Sequence, residues 1–190
     1  IKPNRPKYIF LFIGDGMSTA QVELTEIYEN SIKNKEVSKQ EVLNFTKFNN
    51  IGLRKNYSMT DYIPDSAASG TALASGILTY NGSINTDMDG NEVKPITYTF
   101  KKQNKKIGII TTMTLNHATP AAFYASATNR GDYDNIAYDL INSGFDYFAG
   151  GKIGLNGKTE DEIKEYAKNN GYEIIESNNE LNNLDKNKKN

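Results

Sequence analysis

The chain has 190 residues, with 22 basic and 23 acidic side chains, one His, no Cys, no Trp and a formal net charge of -1. The lack of Cys excludes a disulfide framework, a thiolate metal site and a cysteine nucleophile. The balanced charge speaks against a general binder of nucleic acids or anionic membranes, because such proteins carry a basic excess. The length fits one domain of ordinary size, or two small ones at most.

Strands and helices are predicted to alternate from the start of the chain. Residues 8–13 (YIFLFI) form a continuous apolar run of strand length, as expected for a strand buried on both faces of a sheet. Ser18 and Gln21 have the spacing of a capping box and predict a helix through residue 32. A polar, irregular excursion from the core follows, and residues 51–59 then predict a second strand.

The next elements carry clear start and stop signals. Asp65 or Ser66 begins a helix that Gly76 can end. Asn-Gly at residues 81–82 and Asp-Gly at residues 89–90 predict turns around a short β excursion.

The same alternation continues to the end of the chain. Thr119 is expected to cap a helix with Pro120 in its first turn. Further helices are predicted over residues 95–104, 134–142 and 160–170, and strands over 107–111, 145–149 and 172–175. Repeated strands and helices of this kind predict an α/β fold, in which helices flank a largely parallel sheet.

The two ends of the sequence raise separate expectations. The chain begins at Ile1 rather than Met and shows no secretory signal pattern, so we infer that a leader has been removed. Residues 178–190 are rich in Asn and Lys, and we expect a disordered tail or a break in a longer chain. No run approaches the roughly 20 apolar residues that span a bilayer.

Three segments could carry chemistry, and the first is IGDGM at residues 13–17. Asp15 directly follows a predicted buried strand, and ligands bind in α/β proteins beyond the carboxyl ends of the strands. Its carboxylate is a hard oxygen ligand suited to Mg²⁺ or Zn²⁺. An Asx turn between strand and helix is the structural alternative.

The second segment is DSAASGTALASG at residues 65–76. Its small residues predict a thin helix that packs very close to its neighbours, with Ser66 at or next to the amino end. Unpaired backbone N–H groups at that end favour a phosphate or a developing serine alkoxide. The alternative is that Asp65 and Ser66 are only cap residues.

The third segment is NHATPAA at residues 116–122, followed by Arg130. His117 is the only imidazole of the chain and lies beyond a predicted strand. Thr119 can cap a helix or offer its hydroxyl to a metal, and the Arg130 guanidinium can bind phosphate in a bidentate manner. Taken singly, each residue also fits an ordinary structural role.

Two weaker patterns receive structural interpretations. Residues 87–92 (DMDGNE) have incomplete spacing for a calcium loop and predict a turn. The lysines at residues 101, 102, 105 and 106 are interpreted as a solvated helix face.

Together, IGDGM, DSAASGTALASG and HATPAAFYASATNR (residues 117–130) resemble the alkaline phosphatase family in order and spacing, over about the first 150 residues. The resemblance implies a three-layer α/β sandwich, here incomplete, and hydrolysis of phosphate monoesters with zinc and magnesium as cofactors. It further implies a periplasmic or extracellular location and a homodimer.

The resemblance also implies roles for individual residues. Ser66 matches the nucleophile that becomes a phosphoserine, and Arg130 the arginine that clamps phosphate oxygens, held by Asp65. Asp15 matches the carboxylate that bridges a zinc and the magnesium, and Thr119 a magnesium ligand. His117 falls at a position in the magnesium shell where family members carry Asp or His.

Family members take three more histidines, two aspartates and a glutamate from a second half, whereas no His follows residue 117 here. We therefore expect residues 1–190 to be the amino-terminal part of one catalytic domain. Two alternatives remain open. The chain alone could be an inert fragment that binds only phosphate or magnesium, or the protein could be a related phosphodiesterase or sulfatase.

Overall fold

The computed structural model describes residues 6–183, which fall into two units, one ending at Arg54 and the other beginning at Lys55. Both classes of element occur, and the predicted α/β class is confirmed. The helices are α1 (Thr19–Ile32), α2 (Ser66–Ser75), α3 (Ile96–Lys102), α4 (Ala118–Ala121), α5 (Tyr133–Ser143), α6 (Glu160–Asn169) and α7 (Asn178–Asn182). The strands are β1 (Gly108–Ile110) and β2 (Tyr147–Ala149).

The first unit is built around helix α1. Ser18 caps it, and the capping box with Gln21 is formed as predicted. The polar excursion that follows contains two short 3₁₀ turns, Val37–Lys39 and Asn44–Lys47. A buried amide side chain, that of Asn30, holds the excursion to the helix.

The predicted strand at residues 8–13 is absent from the structure, which is a correction to the sequence interpretation. The segment is irregular, and its side chains are between 37% and 89% exposed. A strand is stable only when its N–H and C=O groups pair with a neighbouring strand. Among residues 6–183 the sheet consists of β1 and β2, and this segment pairs with neither. Residues 51–59 likewise form no strand, and Leu53 is almost fully exposed.

The second unit contains the sheet and most of the buried residues. Strands β1 and β2 pair in parallel, with Ile109 opposite Phe148. The connection between them contains α4 and α5, in line with the predicted β–α–β alternation. Helix α5 ends at Gly144 in the left-handed conformation (φ 60°). The core includes residues from the strands, from α5 and α6 and from the loops around them: Ile84, Ile107, Ile109, Tyr124, Ile136, Leu140, Ile141, Phe145, Ile163 and Tyr172.

Three other predicted elements need correction. Helix α4 begins after His117 as its cap residue, so Thr119 lies inside the first turn instead of capping it. Residues 172–175 form no strand. Within the predicted disordered tail, residues 178–182 form α7, because Ser177 and Glu180 complete a capping box. Residues 184–190 of that tail lie outside the described part of the chain.

No helix within residues 6–183 is both long and apolar enough to cross a membrane.

Candidate active site

The amino end of α2 is fixed by Asp65. This residue is the N-cap, with extended backbone angles, and its Oδ1 accepts the N–H of Ala68 at 2.9 Å. Ser66 is therefore the first residue of the helix, at the end where backbone N–H groups and the positive pole of the helix dipole are available. Ser66 is half-buried.

The small residues of α2 let α4 approach it closely. Ala67, Ala68, Gly70, Thr71 and Ala74 are all buried in the helix. A Cβ atom at Gly70 would lie 3.0 Å from the Cβ of Ala122 and 3.7 Å from the Cα of Thr119. Since Gly70 lies four residues after Ser66, on the same face of the helix, Thr119 is positioned along the face that begins with Ser66.

Asp65 also binds Arg130 from a distant part of the chain. The second carboxylate oxygen, Oδ2, accepts Nη1 of Arg130 at 2.9 Å and the N–H of Gly82 at 3.0 Å. The Asp65 and Arg130 side chains are 26% and 29% exposed. One carboxylate thus caps the helix that begins with Ser66 and holds the guanidinium group beside that helix end.

The backbone of Arg130 is held by a short antiparallel pairing. Ile84 and Ala127 exchange two backbone hydrogen bonds, of 2.7 and 2.9 Å, and the N–H of Arg130 donates to the carbonyl of Gly82 at 2.6 Å. Asn85, with no exposed surface, donates from Nδ2 to the carbonyls of Ala122 and Ala125. These contacts connect the segment after α2 to the segment that carries Arg130.

His117 lies on the other side of the guanidinium group. Its Nε2 is 3.1 Å from Nη2 of Arg130. Because a guanidinium group only donates, Nε2 of His117 accepts this hydrogen bond.

Two neighbouring side chains fix the loop before α4. Asn116 is fully buried. Its Nδ2 donates to the carbonyl of Gly154, and its Oδ1 accepts the N–H of Gly154, both at 2.8 Å. The hydroxyl of Tyr124 donates to the carbonyl of Leu115 at 2.7 Å, and burial raises the pKa of this phenol well above 10. Tyr124 is therefore a neutral support for the loop that carries His117.

The structure unites five of the six site residues predicted from sequence in one unit: Asp65, Ser66, His117, Thr119 and Arg130. Asp15 belongs to the other unit, in a turn where the N–H of Met17 donates to the carbonyl of Gly14 and Gly16 has φ 66°. Its predicted role near the magnesium therefore stays a prediction.

The donor types present suit zinc and magnesium, because imidazole and carboxylate groups bind zinc, and hard oxygen donors such as carboxylates bind magnesium. Within residues 6–183, no group of three or more His, Asp or Glu side chains could hold a metal ion.

Sequence reasoning missed four residues that build this site: Asn81, Gly82, Asn85 and Asn116. The Asn-Gly pair predicted a turn, which Gly82 forms with φ 85°, but nothing in the pair predicted contacts with Asp65. The buried asparagines resemble surface residues in the sequence. Their only signal was the position of Asn116 directly before the single His.

Comparisons with known proteins identify the family of this chain. The family model for alkaline phosphatase matches residues 6–158. Alkaline phosphatase 4 of Bacillus subtilis is 34% identical over 176 residues, which is 88% of this chain and 37% of that protein.

Solved structures give the same result. A cold-active alkaline phosphatase from Shewanella sp. matches with a TM-score of 0.78 and 30% identity, over 90% of this chain and 42% of that chain. A histidine-to-aspartate mutant of TAB5 alkaline phosphatase with Mg bound in its M3 site matches with a TM-score of 0.69 and 36% identity, over 81% of this chain and 44% of that one. The chain thus spans about two fifths of the length of these proteins.

Proposed function

This chain belongs to the alkaline phosphatase family, and from that premise we propose that the protein hydrolyses phosphate monoesters through a phosphoserine intermediate on Ser66. One observation carries the proposal. The Asp65 carboxylate caps the helix that begins with Ser66 and also binds Arg130, so the hydroxyl group and the guanidinium group are held at the same helix end.

The chain's own groups support a double displacement. In the first step, Oγ of Ser66 forms a bond to phosphorus while the bond from phosphorus to the ester oxygen breaks, and the alcohol leaves with a proton. In the second step, water forms the new bond to phosphorus, the bond to Oγ breaks, and inorganic phosphate leaves. Ser66 is regenerated without any redox change.

Arg130 and the amino end of α2 would bind the non-bridging oxygens of the phosphoryl group. A guanidinium group has five N–H donors, and the hydrogen bonds to Asp65 and His117 leave others for phosphate. The N–H groups at the start of α2 add a partial positive charge. Phosphoryl transfer depends mainly on this kind of positioning and charge stabilisation.

We propose zinc and magnesium as cofactors, with Asp15, Ser66, Thr119 and His117 among their ligands and the rest supplied by sequence beyond these 190 residues. When bound, the ions would neutralise phosphate charge and activate the attacking hydroxyl group. The oxygen and nitrogen donors of the chain support this proposal, as does the Mg named for the TAB5 mutant.

The test is turnover of p-nitrophenyl phosphate by the full-length protein. Ser66→Ala should abolish it, while the matched control Ser69→Ala, one turn further along the same helix, should stay within about threefold of wild type. Retained turnover in Ser66→Ala would refute the proposal. A diester that is cleaved faster than the monoester would instead favour a related phosphodiesterase.

A second candidate is that the 190-residue chain alone is a catalytically inert fragment, and it is favoured because no cluster of three metal ligands occurs within residues 6–183. Adding Zn²⁺ and Mg²⁺ to the isolated chain tests it, and robust turnover would refute inertness. On the family resemblance alone, we further propose a periplasmic or extracellular location and a homodimer for the full-length protein.

A further inference from the structure

We propose that Asn81 is a positioning residue for phosphate binding, which acts on Arg130 through Asp65 and Gly82. The inference rests on the proposed function, because it gives the Asp65–Arg130 pair its role in binding the phosphoryl group. The hydrogen bonds of Asn81 go to Asp61, Ile63, Asp65 and Thr60, and none of them goes to Arg130.

The amide side chain of Asn81 joins two segments in front of α2. Its Oδ1 accepts the backbone N–H of Asp65 at 3.0 Å. Its Nδ2 donates to Oδ2 of Asp61 at 2.9 Å and to the carbonyl of Ile63 at 3.4 Å. Both ends of the short chain segment that leads into the helix are thereby bound to a single side chain.

Gly82, the next residue, continues the connection to the arginine. Its N–H donates to Oδ2 of Asp65, the oxygen that binds Arg130, and its carbonyl accepts the N–H of Arg130. The Asn81–Gly82 turn therefore fixes the backbone of Asp65, the carboxylate of Asp65 and the backbone of Arg130.

The segment that Asn81 holds is itself firmly built. Ser58 is buried, and its Oγ accepts the N–H groups of Thr60 and Asp61. The N–H of Met59 donates to the carbonyl of Thr79 at 2.9 Å, and the N–H of Asn81 donates to Oγ1 of Thr60 at 3.3 Å. The amide of Asn81 is thus fixed on both sides, which lets it set the direction of the Asp65 backbone.

Without the amide, Asp65 loses the acceptor for its backbone N–H and can rotate relative to Gly82. The guanidinium group that depends on Oδ2 then moves with it. A small displacement of a phosphate-binding group lowers catalysis strongly, because transition-state stabilisation depends on position.

The experiment measures kcat/KM for p-nitrophenyl phosphate and inhibition by inorganic phosphate in the full-length protein. Asn81→Ala should lower kcat/KM by about tenfold and weaken phosphate inhibition by a similar factor. The matched control is Asn91→Ala, whose amide also holds an aspartate, Asp87, in a turn but makes no contact with the site. It should change both quantities by less than about twofold.

A double-mutant cycle with Arg130→Ala separates positioning from general destabilisation. In the Arg130→Ala background, adding Asn81→Ala should change kcat/KM by less than about twofold, since its effect passes through the arginine. Asp61→Ala, which removes one acceptor of the Asn81 amide, should give a smaller loss that also disappears in that background. It serves as the test if Asn81→Ala fails to fold.

Wild-type values for Asn81→Ala, or a tenfold loss that persists without Arg130, would overturn the proposal. Turnover by Ser66→Ala would refute the proposed function instead. In that case phosphate inhibition still shows whether Asn81 acts through Arg130.

Discussion

The sequence predicts a buried element in residues 8–13 and another in residues 65–85, but the structure buries only the one in residues 65–85. The apolar run in the first unit exposes Phe10 and Phe12 by 78% and 89%. In the second unit, the small residues of α2 and the side chain of Asn85 are packed against α4 and the loop after it. The difference is in the partners: α2 meets a neighbour within its own unit, whereas the apolar run pairs with neither described strand.

The largest contrast is expected for two matched isoleucines. Ile136→Ala, in α5 with no exposed surface, should lower the free energy of unfolding of its unit by about 2–5 kcal/mol, because it leaves a cavity. Ile9→Ala, at 62% exposed, should change stability by less than about 0.5 kcal/mol. Urea denaturation followed by circular dichroism compares them. An equal loss of stability in the two variants would show that residues 8–13 are buried in solution.

A second comparison uses the buried asparagine of each unit. Asn85→Ala should lower the free energy of unfolding by about 3 kcal/mol, because the buried carbonyls of Ala122 and Ala125 would lose their hydrogen-bond donor. Asn30 similarly donates to the carbonyls of Glu26 and Glu41 at 2.7 Å, but these hydrogen bonds are only partly buried.

Asn30→Ala should therefore lower the free energy of unfolding by about 1 kcal/mol, because the hydrogen bonds that it removes are only partly buried. Thermal unfolding of both variants shows which of them loses more stability. A larger loss for Asn30→Ala would contradict the tighter packing of the second unit.

These two asparagines also show where sequence reasoning stops. Caps, turns and small-residue runs follow from local chemistry, so Ser18, Asp65, Gly76 and Gly144 were placed correctly, and the family motifs led to Asp65, Ser66 and Arg130. The roles of Asn81, Asn85 and Asn116 depend on which distant carbonyls come within reach. That is a property of the tertiary packing, which no local pattern encodes.

Two glycines provide the next test. At Gly70 an added Cβ would lie 3.0 Å from Ala122, whereas at Gly52 nothing lies within 4 Å. Gly70→Ala should destabilise by about 1 kcal/mol, since overpacking exceeds the gain in helix propensity. Gly52→Ala should stay within about 0.5 kcal/mol of wild type. Chemical denaturation measures the stability of both variants. A stabilising Gly70→Ala would mean that α2 and α4 lie further apart than in the structure.

The smallest effects concern pH. Burial raises the pKa of Asp139 above its ordinary value, so the folded unit binds this proton more tightly than the unfolded chain. Its contribution to stability falls as the pH rises from the ordinary pKa of an aspartate to the raised one. Hydrogen bonds from Lys35 and Lys33 lower the pKa of the exposed Glu41, so its contribution falls as the pH decreases.

The free energy of unfolding of Asp139→Asn and of Glu41→Gln is measured across pH 3–7, and each is subtracted from the wild-type value. The two differences should change with pH in opposite directions. The same sign for both variants would contradict the burial of Asp139 in the second unit.

The most direct measurement is to locate the phosphoryl group. The full-length protein is incubated with inorganic phosphate or a phosphate monoester, quenched in acid, digested and mapped by mass spectrometry. We expect one phosphoryl group on Ser66 in wild type and in Ser69→Ala, and none in Ser66→Ala. Turnover of the monoester without a phosphoserine at Ser66, or with the group on another residue, would contradict Ser66 as the nucleophile.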